Sequence, residues 1–185
     1  MKVLGLFVFG CILVLNCDND MGNNFIYESD SLYIRALLEE NDLGKLSVTD
    51  VAKFDNTNKK VIGIIIDSRT ISKDSFKMFP KGLLTLSELK WVQIVNCGQF
   101  RNLPKEIYLL PNLEELTINQ TSLAFISGSI KNMHKLNDLS LRNNKILLLP
   151  KEIGMLKNLR YLDVRNNRLI YLPKEIKNMN ITINR

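Results

Sequence analysis

The sequence predicts an α/β solenoid, in which a curved parallel sheet forms the concave side and short helical or extended segments form the convex side. A block of leucines recurs at Leu113, Leu136 and Leu159 with a constant spacing of 23 residues, and in the last two copies it contains an asparagine and a proline at matching positions. Within each copy, apolar residues first alternate with polar ones and then recur three apart, which predicts a strand followed by a helical turn. Repetition at this period is typical of coils that stack around one core.

One copy, the stretch LNDLSLRNNKILLLPKEIGML, is sufficient to predict a strand, a turn and a short helical segment. Leu139 lies in a stretch where apolar and polar residues alternate, so it is expected in a strand with one buried face. Asn144 follows where the chain must turn, and its amide can both donate and accept hydrogen bonds between neighbouring coils. Pro150 precedes Ile153, and its fixed φ suits the first position of a short helical turn.

The shared pattern LxxLxLxxNxLxxLPxxIxxL resembles the leucine-rich repeat of the typical 23-residue class. The resemblance is clear over residues 89–179, and degenerate copies extend it to 61–185. It implies a curved solenoid that usually binds a ligand, without naming that ligand. The first copy is longer and less regular than the others, as terminal repeats often are.

The turn position of the repeat is occupied by Cys97, Asn144 and Asn167, for which we predict structural roles. A buried reduced thiol suits such a position. Catalysis by Cys97 is disfavoured because no supporting base sits at a recognisable spacing. The single histidine, His134, lies in a loop of the adjacent copy.

Residues 1–16 are predicted to be a signal peptide, in which Lys2 precedes an apolar run too short to cross a bilayer as a helix. The run ends just before Cys17, and this pattern resembles a bacterial lipoprotein signal. The resemblance implies that Cys17 is acylated, with Cys11 as the alternative site. We expect an exported protein that is anchored to a membrane of the bacterial cell envelope; a secreted or periplasmic protein is the alternative.

Residues 17–29 are interpreted as a polar tether that carries Cys17, and residues 30–60 as a short helical N-terminal cap. Asp30 comes before apolar residues at helical spacing and is a candidate helix N-cap. Leu32 and Leu37 are expected in the core. A cap is needed because the first coil would otherwise expose an open sheet edge over bare leucines.

The repeats, assigned to residues 61–185, are expected to be weakest where the pattern is broken. Thr121 and Ser127 replace the asparagine and the proline of the third copy, which predicts the loosest internal coil. Ile181 and Ile183 offer a truncated last strand, and no C-terminal cap motif is recognisable. The last coil is therefore closed by its own polar residues, or its edge is used by a partner or a second copy.

The outward side chains of the strands are expected to form the binding face, since equivalent positions in neighbouring strands lie about 4.8 Å apart. Trp91, the only tryptophan, falls at an outward position that a core role does not explain. Tryptophan, tyrosine and arginine are enriched in binding hot spots. The alternative for Trp91 is an aromatic ring shielded by its neighbours. The candidate ligand-binding residues are Trp91, Gln93, Glu115, Asp138, Arg142, Tyr161, Asp163 and Arg165.

The sequence predicts no catalytic site, no metal site and no cofactor. It contains no phosphate-binding loop, dinucleotide motif or Cys/His cluster, and one histidine excludes most metal and general-base schemes. A net charge of +6 without a dense basic block does not favour nucleic acid as a partner. Lys105, Lys151 and Lys174 of the LPKEI motif are interpreted as solvated convex surface, with acidic lipid headgroups as the functional alternative.

The leading hypothesis is a non-catalytic binding module that recognises a protein, or alternatively a glycan, and is held at a membrane by its N-terminal lipid. One alternative is an envelope scaffold that self-associates through its C-terminal edge. Another is a recognition arm for a separate catalytic chain.

Overall fold

The computed structural model describes residues 24–55, 60–69, 76–79, 82–177 and 179–185, with the side chains of the first helix described from Asp30 onward. The proposed signal peptide, Cys11 and Cys17 lie outside these residues. The described helices are α1 (Asn24–Glu40), α2 (Val48–Val51) and α3 (Lys174–Lys177), and short 3₁₀ helices span Leu83–Thr85, Lys105–Leu109, Gly128–Asn132 and Lys151–Met155.

A seven-stranded sheet runs the length of the described chain, with its strands in sequence order. Its first two strands pair antiparallel, and every later pair is parallel. Between most of the parallel strands a 3₁₀ helix returns the chain on the opposite side, so the predicted α/β solenoid is confirmed. The strands are β1 (Ala52–Phe54), β2 (Val61–Asp67), β3 (Trp91–Val95), β4 (Glu115–Asn119), β5 (Asp138–Ser140), β6 (Tyr161–Asp163) and β7 (Thr182–Asn184).

The core lies between the sheet and the convex segments, as the alternation of apolar residues predicted. Leu116, Leu139 and Leu162 are aligned by the strand register and are fully buried. Ile130 and Ile153 approach them from the convex 3₁₀ helices and are buried as well. Because no single coil can bury these side chains alone, the stack of coils is the unit of stability.

The convex helices begin one residue later than the proline position suggested. Pro104 and Pro150 are N-cap residues with extended backbone, at φ −65° and −68°, rather than the first helical residues. In the third copy Ser127 takes this place, and its Oγ accepts a hydrogen bond from the backbone N–H of Ser129 at 3.2 Å. The Tyr108 hydroxyl also accepts a hydrogen bond from the Ser127 N–H at 3.2 Å. These contacts hold the coil that we expected to be the loosest.

The N-terminal cap is more extensive than its sequence suggested. Helix α1 begins at Asn24, inside the segment interpreted as a tether, so Asp30 is not its N-cap. Instead Asp30 is buried in the helix, and its Oδ2 accepts a hydrogen bond from the backbone N–H of Val61 at 3.0 Å. Leu37 lies in the core as expected, whereas Leu32 points outward. The cap is therefore joined to the first strand of the parallel sheet through a buried carboxylate.

Strand β7 forms the other edge of the sheet in the part of the chain that the structure describes. Leu162 of β6 pairs with Ile183, which confirms the expected last strand. Ile181 and Ile183 are only partly buried against the core. None of the described helices is long and apolar enough to cross a membrane.

Candidate binding face

Outward side chains on the concave side of the sheet form aligned rows, because the parallel strands pair without a shift of register. Trp91 pairs with Glu115, Glu115 with Asp138, and Asp138 with Tyr161. Each of these side chains therefore stands beside the next across the strands. A second row lies two residues further along each strand and contains Gln93, Thr117, Ser140 and Asp163. The rows that the sequence predicted are thus present on one surface.

Trp91 is partly buried on this face, and a glycine beside it explains why. Gly63 is the register partner of Trp91 on β2, and a Cβ at that glycine would lie 2.0 Å from the indole carbons Cε2 and Cζ2. The indole ring therefore occupies the space next to Gly63 that a side chain would fill, with part of its surface open to solvent. The ring is thus shielded by a neighbour without entering the core, and its part in binding a ligand stays a prediction.

Gly63 itself was missed by the sequence reasoning, although a signal was present. It interrupts the run VIGIIID, which otherwise reads as a buried strand. An isolated glycine in a strand often marks the close approach of another group. Here that group is the indole ring of Trp91.

The centre of the face is acidic. Glu115 is exposed, and Asp138 is partly buried beside it. Burial raises the pKa of the Asp138 carboxyl above its ordinary value, and the negative charges of Glu115 and Asp163 raise it further. The ionised form of Asp138 is therefore destabilised in this position, which a cation brought next to it would relieve.

Asp163 was predicted to contact a ligand, but its carboxylate is already occupied within the protein. It is only 2% exposed and accepts two hydrogen bonds from the Arg165 guanidinium, from Nη2 at 2.6 Å and from Nε at 3.0 Å. The Tyr161 hydroxyl donates a longer hydrogen bond to it at 3.4 Å. The hydrogen bonds from Arg165 lower the pKa of Asp163. Asp163 thus holds Arg165 and Tyr161 in place rather than facing a ligand.

Asn184 is a second residue that the sequence reasoning missed. Its Nδ2 donates a hydrogen bond to the Tyr161 hydroxyl at 2.8 Å. Tyr161 is thereby fixed from two sides, by Asp163 on its own strand and by Asn184 on β7. Only the strand register places Asn184 there, and no local motif marks it.

The arginine rim lies along the carboxyl ends of the strands. Arg142 and Arg165 are both exposed and follow β5 and β6. The backbone N–H of Arg142 donates to Asn119 Oδ1 at 3.0 Å, and Ser140 Oγ donates to the same oxygen at 3.0 Å. Asn119 thus fixes the path of the chain as it leaves the sheet. Gln93 is exposed near the other end of the face.

Buried amides hold the turns behind this rim. Asn144 Nδ2 donates to the carbonyl oxygens of Ile118 at 2.6 Å and Leu141 at 2.9 Å. Its Oδ1 accepts from the Thr121 hydroxyl at 2.6 Å. Asn167 repeats the arrangement one coil later, with Nδ2 2.8 Å from the Leu141 oxygen. The side chains thus link each turn to the preceding one.

Each of these turns also requires a residue in the left-handed backbone region. The residues are those directly before the turn position, and their φ values lie between 54° and 60°: Asn96, Gln120, Asn143 and Asn166. Asparagine tolerates this region better than most residues, which explains the recurring NN and NC pairs. Asn166 Nδ2 also donates to Asn143 Oδ1 at 2.7 Å, so this outer row is linked between coils.

The described residues offer no group of histidine, cysteine and acidic side chains that could hold a metal ion. Cys97 is buried, and its thiol donates to the Val95 carbonyl at 3.3 Å and accepts from Ser68 Oγ at 3.4 Å. His134 is exposed on the convex side of the next copy. The face is thus an open surface of aromatic, acidic and basic groups, suited to binding.

Comparison with known proteins identifies the architecture. Residues 111–169 match the family model described as the leucine-rich repeat. The ectodomain of the receptor kinase SOBIR1 from Arabidopsis thaliana superposes with a TM-score of 0.66 at 22% identity, over 84% of this chain and 89% of that one. The fold is a leucine-rich-repeat solenoid. Proteins of this fold are typically binding modules rather than enzymes.

Two other solved structures are similar over shorter parts of their own length. A plant ice-binding protein has a TM-score of 0.64 at 20% identity, over 87% of this chain and 57% of that one. A leucine-rich-repeat protein from Leptospira interrogans is 31% identical over 59% of this chain and 34% of that one, with a TM-score of 0.48. The chain thus spans about a third of the Leptospira protein and just over half of the plant protein. No curated protein matches the sequence.

Proposed function

We propose that this protein is a non-catalytic, exported binding module whose concave sheet recognises a protein ligand. One observation carries the proposal: Trp91, Glu115, Asp138 and Tyr161 stand in a single row across four parallel strands. At about 4.8 Å per strand the row is roughly 14 Å long, which suits an extended peptide segment or an exposed loop. The row lies on an open sheet face, where water has free access, so it suits binding better than catalysis.

The chemistry of the row favours a ligand that presents a basic side chain. Glu115 and Asp138 lie between the two aromatic residues, and the charge on Asp138 is already unfavourable in the free protein. A lysine or arginine side chain would neutralise the acidic pair and could also pack on an aromatic ring. Arg142 and Arg165 on the rim suit an acidic group elsewhere on the same ligand.

Paired variants of the full-length protein test this face. The ligand is first captured and identified, and its affinity is then measured by titration. Changing Trp91 and Tyr161 to alanine together should weaken binding by about 2 kcal/mol or more, roughly 30-fold, if they are hot spots. Glu115→Gln with Asp138→Asn should weaken it as well, and the loss should shrink at high salt.

Glu152→Gln, on the convex side, is the matched control and should leave the affinity unchanged. The proposal fails if both double variants of the concave face remain folded and bind as well as the wild type. It also fails if Glu152→Gln causes the larger loss, because the ligand would then contact the convex side.

The location of the protein is a further part of the proposal. The apolar run before Cys17 supports acylation of that cysteine, and two or more acyl chains suffice for stable anchoring. Metabolic labelling with a fatty acid should mark the wild type and Cys11→Ser but not Cys17→Ser. If the label disappears only in Cys11→Ser, that cysteine is the acylated one. If none of the three proteins takes up the label, anchoring by a lipid is refuted.

A further inference from the structure

The side face of the last three coils carries an exposed apolar strip that neither the core nor the concave row explains. The segments 122–126, 145–149 and 168–172 connect the carboxyl ends of β4, β5 and β6 to the convex helices. Backbone hydrogen bonds join them side by side, from Lys145 N to the Leu123 oxygen at 2.9 Å and from Ile170 N to the Leu147 oxygen at 3.2 Å. The three segments therefore form one continuous surface.

After its first residue, each segment has two inward and two outward positions. In the middle segment Ile146 and Leu149 are buried, and Leu147 and Leu148 point outward. The outward pairs of all three segments are apolar, and their large side chains are between 45% and 70% exposed: Phe125, Leu147, Leu148, Ile170 and Tyr171. We call these five residues the apolar strip. Single exposed leucines are ordinary, whereas a contiguous group of this kind marks an interaction surface.

The fold itself does not require apolar residues at these positions. One coil earlier the equivalent outward positions hold Arg101 and Asn102, which are exposed. The inward neighbours there, Phe100 and Leu103, still pack against the core. The apolar strip is thus a property of the later coils that packing does not account for.

Cations border the apolar strip on both sides. The stretches 141–151 and 164–174 contain no aspartate or glutamate, and their basic residues are Arg142, Lys145, Lys151, Arg165, Arg168 and Lys174. Of these six, Arg165 is paired with Asp163, and the other five form no ion pair with any residue that the structure describes. Lys145 and Arg168 lie before the strip in each coil, and Lys151 and Lys174 lie after it.

Two acidic residues follow the strip, each directly after one of the bordering lysines. The Glu152 side chain packs against Gly128, with its Cδ 3.2 Å from the place of a Cβ there. The Cβ of Glu175 packs against Gly154 of the preceding helix. Over residues 141–151 and 164–174, the side face presents apolar groups framed by positive charge.

We propose that this side face docks on the surface of an anionic lipid membrane. Apolar and aromatic side chains would enter the headgroup boundary, and the bordering lysines and arginines would meet the lipid phosphates. A second copy is disfavoured as the occupant, because two such faces brought together would oppose cations with cations. Docking on this side leaves the concave row free for its own ligand, so the inference does not depend on the identity of that ligand.

Tryptophan placed in the strip tests the orientation directly. The full-length protein with Phe125→Trp is reconstituted into vesicles of phosphatidylcholine and phosphatidylglycerol that contain brominated lipid. Brominated lipid quenches indole fluorescence at short range, so quenching reports contact of the strip with the membrane. Leu109→Trp, at an exposed apolar position on a convex helix, is the matched control. The wild type, which carries only Trp91, supplies the background. We expect strong quenching for Phe125→Trp, little for Leu109→Trp, and a marked loss of quenching in pure phosphatidylcholine.

A charge variant measures the electrostatic part. Lys145→Gln with Arg168→Gln in the Phe125→Trp protein should lower the docking equilibrium about 25-fold, since each cation near an anionic surface contributes a factor of about five. Equal quenching at positions 125 and 109 would overturn the proposal, as would quenching that is the same with and without phosphatidylglycerol. A blue shift of Trp at position 125 that grows with protein density and shows no quenching would also overturn it, because a second copy would then cover the strip.

Discussion

At the turn position of the repeat, the second copy carries Cys97, nearer the N-terminus, whereas the later coils after β5 and β6 carry Asn144 and Asn167. The Asn144 amide lies 2.6 Å from the Ile118 oxygen of the preceding coil and 2.9 Å from the Leu141 oxygen of its own coil. The Cys97 thiol lies 3.3 Å from the Val95 oxygen and 3.9 Å from the Ile66 oxygen. The same position is thus held by strong hydrogen bonds in one region and by weak ones in the other.

The length of strand pairing differs in the opposite sense, since it is greater in the N-terminal region than in the later coils. β2 and β3 pair over five residues, up to Asp67 and Val95, whereas β5 and β6 pair over only three. Backbone hydrogen bonds nevertheless continue to the turn in the later coils as well, from Leu141 N to the Asp163 oxygen at 2.7 Å and from Asn143 N to the Arg165 oxygen at 2.9 Å. The buried amides of the later coils therefore add hydrogen bonds to a backbone ladder that reaches the turn in both regions.

The largest expected effect is at Asn144. Asn144→Ala removes partners from the Ile118 carbonyl and from the hydroxyl and backbone N–H of Thr121, and each buried group left unpaired costs roughly 1–3 kcal/mol. The Leu141 carbonyl keeps its hydrogen bond from Asn167. We expect a loss of about 3 kcal/mol or more in the free energy of unfolding by urea. Cys97→Ala, at the matching position, should cost only about 1 kcal/mol, because the thiol acts mainly as a small apolar group. Equal losses would show that the two turns do not differ in the way the distances indicate.

A smaller effect is expected at Gly63, where the N-terminal region touches the binding face. Gly63→Ala places a Cβ against the Trp91 ring, so the ring must leave its place on β2. Such overpacking costs about 1–3 kcal/mol, and the fluorescence of Trp91 should shift to the red as the ring enters water. Gly44→Ala is the control, because nothing lies within 4 Å of a Cβ there. An unshifted spectrum in Gly63→Ala would mean that the indole does not rest on this glycine.

Much of the fold follows from the sequence because the repeat is a local and redundant signal. The inward leucines recur at fixed spacing, so Leu116, Leu139 and Leu162 could be placed together before any coordinates were known. The rows of the concave face follow from the same register. Once one copy is aligned with the next, every outward side chain has a known neighbour.

The parts that could not be predicted depend on contacts between segments far apart in sequence. The residues next to Asp30 in the sequence suggest a helix N-cap, yet its carboxylate accepts a hydrogen bond from the backbone N–H of Val61, 31 residues away. Asp163 resembles an exposed contact residue, and only the position of the Arg165 side chain shows that its carboxylate is occupied. The apolar strip could not be predicted from the repeat, because the pattern specifies residue types at inward positions and allows any type at the outward ones.

The smallest expected effects distinguish two carboxylates of the later coils by their dependence on pH. Arg165 lowers the pKa of Asp163, so its contribution to stability is present above the ordinary value near 4 and is lost as the pH falls through the lowered value. Burial raises the pKa of Asp138, so its ionised form destabilises the fold at neutral pH, and this cost disappears in acid.

Asp163→Asn should therefore lower the urea midpoint near pH 7, and Asp138→Asn should raise it, each by less than about 1 kcal/mol in free energy because the partners are exposed to solvent. Both differences from the wild type should fade in acid, for Asp163 only once the pH has fallen through its lowered pKa, because the carboxyls are then protonated in the folded and unfolded states. Urea titrations of the three proteins across this range measure the effect. If the two variants shift the midpoint in the same direction near pH 7, the acidic centre of the face is not strained by its neighbours, and the attraction proposed for a basic ligand loses its electrostatic support.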